Sequence, residues 1–123
     1  MDQNRLVKSG HDLVDALDGK GVSVGAAMWV HNTDVNTWKL WLVPRRPTDK
    51  REFYRKVADV IADDKRKFSD LDTSDTEIIP ATHPAIRALS QFAKVSGRSS
   101  VQLSNNMLNG FYLTDGIVLL MDL

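Results

Sequence analysis

The stretch "VSVGAAMWVHNTDVNTWKLWLV", residues 22–43, decides the fold because two apolar segments in it flank a polar run. Side chains alternate between two sets in residues 22–31 and again in residues 38–43. An alternation with a period of two is typical of a β-strand whose two faces differ. The polar run "NTDVNT" is rich in Asn, Asp and Thr, which favour turns. The stretch therefore predicts a β-hairpin.

All three tryptophans of the chain lie in this hairpin, and the strand register decides which of them share a face. A register that pairs Trp29 directly with Trp41 also pairs apolar residues at the two neighbouring positions, which favours it. In this register Trp38 joins a face rich in Val, Leu and Met, and we predict that it packs in the core. The other face then carries Trp29 and Trp41 together with His31 and Lys39.

The face that carries Trp29 and Trp41 has two interpretations. Paired aromatic residues in strands more often pack inside a protein, so an amphipathic helix is expected to cover them. The N-terminal helix is the simplest cover, because Gly10 on its apolar stripe leaves room for an indole ring. Alternatively the two indoles stay exposed and, with His31 and Lys39, bind a protein partner or a ligand.

Three helices and a short strand are predicted on either side of the hairpin. Apolar residues recur at a helical period in each helix. Thr48 or Asp49 is the expected N-cap of the second helix, and Thr82 or His83 that of the third. The segment "TEIIP" is rich in β-branched residues and predicts a strand. The predicted bounds are 3–17 for the first helix, 49–66 for the second, 76–80 for the strand and 82–97 for the third helix.

The C-terminal segment contains Asn109-Gly110 and Asp115-Gly116, two dipeptides that favour hairpin turns. Two such turns between apolar segments predict a three-stranded meander. Its last strand, "IVLLM", is apolar on both faces, so we expect it to lie inside the sheet with elements covering both sides.

Together these elements predict one α+β domain over residues 1–123, in the order α-β-β-α-β-α-β-β-β. The sheet is expected to have about six strands, mainly antiparallel or mixed, with three helices. A chain of 123 residues is long enough to bury a core of its own.

The composition excludes several classes of function. The chain has no cysteine, which rules out disulfides, thiolate metal sites and cysteine nucleophiles. It shows no signal peptide and no apolar window of about 18 residues, so we expect a cytoplasmic protein without membrane contact. The acidic loop "DLDTSDTE" lacks the glycine and distal glutamate of a calcium loop, and no phosphate-loop or hydrolase motif is present. We therefore expect no metal, no cofactor and no catalytic residue.

Positive charge is concentrated between Arg45 and Lys56, although the chain has a formal net charge of zero. Ion pairs at the i,i+4 spacing, such as Glu52–Lys56 and Arg55–Asp59, account for part of this charge. The remaining cations lie before and in the first turn of the second helix, where a helix N-terminus and positive charge suit an anion. This candidate anion or nucleic-acid site consists of Arg45, Arg46, Lys50 and Arg51.

From Ser99 to Leu123 the chain contains no Lys or Arg, and most of its polar residues are neutral. Free surfaces usually carry charge, whereas the cores of interfaces are depleted in it. Two interpretations stay open: the protein's own helices cover this meander, or it is an interface. A homodimer is the simplest interface, because symmetric pairs are the commonest oligomers.

The first functional hypothesis is a small non-catalytic module, such as an adaptor, an inhibitor or an accessory subunit, that acts through protein–protein contacts. Its contact surface is the Trp29/Trp41 face, the neutral meander, or both. The alternative is an anion or nucleic-acid binder that uses the basic cluster, although the neutral overall charge disfavours nucleic acid. A small enzyme that needs no metal ranks third.

Overall fold

The computed structural model describes residues 3–96 and 98–123, without the side chain of Phe92. Within these residues, three α-helices and five β-strands follow one another, with a short 3₁₀ turn before the third strand. In chain order they are α1 Gln3–Gly19, β1 Val24–Asn32, β2 Thr37–Pro44, α2 Lys50–Asp63, β3 Thr76–Ile78, α3 Pro84–Phe92, β4 Val101–Leu108 and β5 Phe111–Met121.

The strands form one sheet in the order β3-β2-β1-β5-β4. β3 runs parallel to β2, and every other neighbouring pair is antiparallel. The α+β class, the mixed sheet and the three helices predicted from the sequence are therefore confirmed in the described residues. The sheet has five strands where about six were expected, and the difference arises in β5.

The sheet separates two apolar cores. We call the side covered by α1 and α2 the α1 face, and the side covered by α3 the α3 face. Each helix contributes residues three or four positions apart, because these lie on the same side of a helix. The α1-face core includes Leu6, Leu13, Leu17, Trp29, Leu40, Leu42, Phe53, Val57 and Val60, and the α3-face core includes Met28, Trp41, Ile86, Leu89, Val118 and Met121.

The first hairpin forms where the sequence predicts it, but its register differs from the predicted one by one residue. Trp29 pairs with Leu40 and not with Trp41, and His31 pairs with Trp38. Cross-strand partners share a face, so a shift of one residue moves the side chains of one strand to the other face. Trp29 therefore lies on the α1 face with Trp38, whereas Trp41 lies on the α3 face. The prediction that Trp29 and Trp41 share a face is wrong.

The length of the turn sets this register. Asn32 pairs with Thr37, so residues 33–36 form the turn. This is an even number of residues, whereas the predicted pairing needs an odd number. Asn36 closes the turn with a φ of 51°, a left-handed conformation that asparagine tolerates better than most residues.

The C-terminal part contains one turn where two were predicted. The turn at Asn109-Gly110 joins β4 to β5 and is confirmed, with both residues at positive φ. The prediction of a turn at Asp115-Gly116 is wrong, because β5 runs through both residues. Space is limited at Gly116, since a Cβ on it would lie 2.9 Å from Cδ2 of Leu113 and 3.3 Å from the carbonyl oxygen of Trp29. β5 lies inside the sheet and supplies apolar side chains to both cores, as its sequence predicts.

The second and third helices begin at their predicted caps. Asp49 caps α2 and His83 caps α3 through their side chains. α3 ends at Phe92, earlier than predicted, because Ala93 is extended and Val95 pairs with the end of β5. Gly97, the predicted end of this helix, lies outside the described residues.

Candidate functional site

Trp29 is buried beneath α1, with 1% of its surface exposed. Its indole Nε1–H donates a hydrogen bond of 2.6 Å to the carbonyl oxygen of Leu6. Gly10 faces the same indole, and a Cβ on Gly10 would lie 3.0 Å from Nε1. The prediction that the N-terminal helix covers an indole and that Gly10 makes room for it is therefore confirmed for Trp29. The alternative, an exposed Trp29 that binds a partner, is wrong.

Trp41 is buried on the α3 face, with 6% of its surface exposed. Its ring centroid lies 5.0 Å from that of His83 and 5.3 Å from that of Phe111. The rings of His83 and Phe111 also contact each other, at 5.3 Å. Tilted and edge-to-face contacts at these distances are favourable for packing. The residues around α3 and the start of β5 thus enclose Trp41, and the predicted four-residue binding surface does not form.

His31 and Lys39 belong to opposite faces of the hairpin as well. The His31 ring lies 4.9 Å from the ring of Trp38, and its Nε2 is 3.0 Å from Oδ1 of Asn36. Lys39 donates a hydrogen bond from its ammonium group to the carbonyl oxygen of Ser74. Both side chains therefore interact with neighbours in the same chain. The register change separates Trp29 from the predicted partner-binding set, whereas His31, Lys39 and Trp41 line one concavity of about 470 Å³.

His83 stabilises α3 through both its cap and its ring. Its Nδ1 accepts a hydrogen bond of 3.1 Å from the backbone N–H of Ala85. We expect His83→Ala to lower the free energy of unfolding by about 2 kcal/mol, about half from the cap and half from the ring contacts. His83→Asn keeps a capping side chain without the ring, so we expect it to lose about half as much. Urea unfolding followed by circular dichroism measures both, and equal losses would assign the whole effect to the ring.

The predicted basic cluster lies around the loop that joins β2 to α2, and the structure divides it between two concavities. One, which we call the basic pocket, has a volume of about 350 Å³, and the other has about 430 Å³. Arg45 and Arg46 line both concavities, Lys50 lines only the larger one, and Arg51 lines neither. The basic pocket is formed by residues 21–23, Arg45, Arg46, Thr48, Phe53 and Lys56.

Lys56 lines the basic pocket, and the ion pair predicted between Lys56 and Glu52 is absent from the described residues. Glu52 instead accepts two hydrogen bonds from Arg55, and this interaction holds the pKa of Glu52 below its ordinary value. The predicted pair of Arg55 with Asp59 is confirmed at 4.0 Å. Among the ion pairs of the described residues, none includes Lys56.

Arg45 is held beside the basic pocket by Asp122. Its guanidinium lies 2.9 Å from the Asp122 carboxylate and donates a second hydrogen bond, of 2.5 Å, to the Asp122 carbonyl oxygen. In the described part of the chain, the Arg46 guanidinium forms no ion pair with a carboxylate. The pocket therefore combines Arg45, a cation oriented by an ion pair, with two cations, Arg46 and Lys56, that form no ion pair in the described residues.

The β4–β5 hairpin is the third candidate surface, and β4 is exposed along most of its length. β4 contains no ionisable side chain. Val101, Met107 and Tyr112 of this hairpin are 41%, 65% and 53% exposed, and they are three of the five large hydrophobic side chains exposed in the described chain. The interpretation that the protein's own helices cover this segment is therefore wrong for β4, and its role as an interface stays a prediction.

The acidic loop has a structural role. Asp72 accepts a hydrogen bond from the Ser74 hydroxyl, which holds the pKa of Asp72 below its ordinary value, and Asp75 accepts one from the Asp72 backbone at 2.9 Å. These bonds form a capping box on the 3₁₀ turn that leads into β3. In residues 3–96 and 98–123, no group of three or more His, Asp or Glu side chains is placed to hold a metal ion. No helix of the described chain has the length and apolar character needed to cross a membrane.

No protein-family model, curated protein or solved structure matches this chain. Two of the surfaces predicted from the sequence are accessible in the described residues: the basic pocket and the exposed β4–β5 hairpin.

Proposed function

We propose that this protein is a small non-catalytic module that acts through protein contact, with the β4–β5 hairpin as its contact surface and a second copy of the chain as its partner. The observation that carries the proposal is β4, an exposed and uncharged strand at the edge of the sheet. The outer backbone N–H and C=O groups of an edge strand have no ladder partner in their own sheet. A strand from another chain satisfies them.

The two edges of the sheet differ in their suitability for such pairing. β3, at the opposite edge, spans only Thr76–Ile78, carries Glu77 at its centre and is followed closely by Pro80. Shortness, charge and proline each discourage pairing at an edge. β4 has eight residues with neither charge nor proline. β4 is therefore the edge that suits an added strand.

Charge and symmetry favour a second copy as the added strand. In a two-fold antiparallel pair each β4 meets its own reversed sequence, and β4 brings no like charges together. A two-fold axis between Ser104 and Asn105 would place Val101 beside Leu108 of the second copy. Leu108 packs in the α3-face core, and Val101 pairs with Val118 of the same core, so both belong to one face. Asn105 has a φ of 53°, but the register between β4 and β5 is the same on both sides of it.

Sedimentation analysis over a range of protein concentrations tests this proposal. We expect the wild-type chain to form a dimer, and the variant Val101→Lys/Met107→Lys to sediment as a monomer. Each copy then carries two lysines on the edge strand that would pair, and lysine on an edge strand discourages the addition of another strand. Both side chains are exposed, so the circular dichroism spectrum and the melting temperature should change little.

The control is Val35→Lys, which adds a lysine at an equally exposed apolar position, 63% against 65% for Met107. Val35 lies in the β1–β2 turn, outside the β4–β5 hairpin, so this variant should remain a dimer. A wild-type chain that stays monomeric at every concentration would contradict the proposal. A dimer that survives in the double-lysine variant would also contradict it.

A further inference from the structure

The basic pocket combines positive charge with apolar surface. Val22, which is 8% exposed, lines it together with Arg46 and Lys56, whose methylene groups add apolar surface. Phe53 in the same lining is fully buried. Its volume of about 350 Å³ falls in the range of small-molecule sites, about 300–1,000 Å³. No acidic residue belongs to its lining in the described chain. A ligand for this pocket should therefore carry both an anionic group and an apolar part.

Three separate segments form the pocket, and hydrogen bonds and core packing fix their relative positions. The backbone N–H of Arg45 donates to the carbonyl oxygen of Ser23 at 3.2 Å, which joins the loop after β2 to the segment before β1. Arg45 is oriented by Asp122, and Lys56 projects from α2, whose Phe53 is anchored in the core. Prior fixing of binding groups lowers the entropic cost of binding.

We infer that the basic pocket binds a small organic phosphate monoester, with its phosphate on the cationic groups of Arg46 and Lys56 and its organic part against Val22 and the methylene groups of the lining side chains. A guanidinium group matches the geometry of phosphate oxygens with two parallel hydrogen bonds, and an ammonium group adds a mobile point charge. The Ser23 hydroxyl is a neutral donor in the same lining. Nucleic acid is disfavoured because it requires an extended row of cations or exposed aromatic platforms.

Isothermal titration calorimetry at low ionic strength, with phenyl phosphate as the probe, tests this inference. We expect phenyl phosphate to bind the wild-type chain more tightly than inorganic phosphate does, because its ring adds apolar contact. The variant Arg46→Gln/Lys56→Gln should weaken binding of phenyl phosphate about tenfold or more, since it removes the two cations that form no ion pair in the described residues. Its melting temperature should stay close to that of the wild type, because neither side chain is buried.

The matched control is Lys50→Gln/Arg51→Gln. It removes the same charge from the first turn of α2 but changes no residue that lines the basic pocket. This control should bind phenyl phosphate as the wild type does. The inference is overturned if the wild type does not bind phenyl phosphate, or if both double variants lose binding equally, as diffuse attraction would require. It is also overturned if a single-stranded oligonucleotide binds and the Lys50→Gln/Arg51→Gln variant abolishes that binding while phenyl phosphate has no effect.

The proposal for the basic pocket and the proposal for the β4–β5 hairpin can be contradicted independently. The lysine variant of the hairpin leaves the pocket lining unchanged, so it should bind phenyl phosphate like the wild type whether it is a dimer or a monomer. Likewise Arg46→Gln/Lys56→Gln should leave the sedimentation behaviour unchanged. Each experiment therefore serves as a control for the other.

Discussion

The Trp29→Ala variant is expected to lose about 3–5 kcal/mol of its free energy of unfolding, as is typical when a buried tryptophan is truncated to alanine. The indole fills the space between α1 and the sheet, and its removal leaves a cavity that α1 cannot close without moving. The hydrogen bond from Nε1–H to the carbonyl oxygen of Leu6 is lost as well. Small domains are stable by about 5–15 kcal/mol, so this single change removes a large part of the stability.

Urea unfolding followed by far-ultraviolet circular dichroism measures this loss, because the fluorescence signal changes when a tryptophan is removed. Trp29→Phe keeps an aromatic ring but has no N–H to donate, and we expect a loss of about 1–2 kcal/mol. Val35→Ala, at an exposed position in the turn, is the control and should change the stability by less than about 0.5 kcal/mol. If Trp29→Ala costs no more than Val35→Ala, the indole does not pack beneath α1.

Gly10→Val should destabilise the chain by about 2–3 kcal/mol, although glycine inside a helix is normally a weak point. A Cβ on Gly10 would lie 2.2 Å from Cδ1 of Leu119 and 3.0 Å from Nε1 of Trp29. Leu119 is fully buried, so its side chain has little space into which it can move. The clash therefore outweighs the gain in helix propensity, which is below about 1 kcal/mol because valine is a poorer helix former than alanine.

Two variants separate the clash from the backbone effect of glycine. Gly19→Val places the same side chain in α1 at a position with no atom within 4 Å of the new Cβ, and it should be nearly neutral. In a Leu119→Ala background the cost of Gly10→Val should fall, because the atom that causes the clash is gone. Strictly additive effects of Gly10→Val and Leu119→Ala would show that the two residues do not interact.

The sequence predicts the position of the first hairpin, but not which tryptophan faces which core. The alternation of side chains is visible in each strand, and both strands formed as expected. The register depends on whether the turn holds an even or an odd number of residues, and the polar run "NTDVNT" is compatible with both. A one-residue error is therefore enough to separate Trp29 from Trp41 and to remove the predicted binding surface.

The Asp115-Gly116 dipeptide shows a second limit. Asp-Gly favours a turn locally, but Gly116 pairs with Val30 on one side and Leu103 on the other. Its surroundings favour glycine, because the Leu113 side chain and the carbonyl oxygen of Trp29 both lie close to it. A tight turn and a close approach both require glycine, and composition alone cannot separate them.

The sequence predicts only some of the residues that line the basic pocket. The run of positive charge indicates Arg45 and Arg46. Ser23 could also be predicted as a neighbour of Arg45, because hairpin pairing places the segment before β1 next to the segment after β2. Lys56 could not have been assigned, because Glu52 has a cation three residues away and another four residues away. Helical spacing allows both ion pairs, and only the three-dimensional arrangement shows that Arg55 takes the carboxylate.

The position of β5 also governs how this chain acquires its fold. The strand that lies against β1 across the middle of the sheet is distant from it in the chain, so Trp29 meets Ile117 only after all the residues between them have been synthesised. Pairings between distant residues slow folding, since closing a long loop costs chain entropy before the contacts that stabilise it have formed. A nascent chain on the ribosome therefore exposes one side of β1 and parts of both cores until β5 emerges, and such exposed apolar surface favours aggregation.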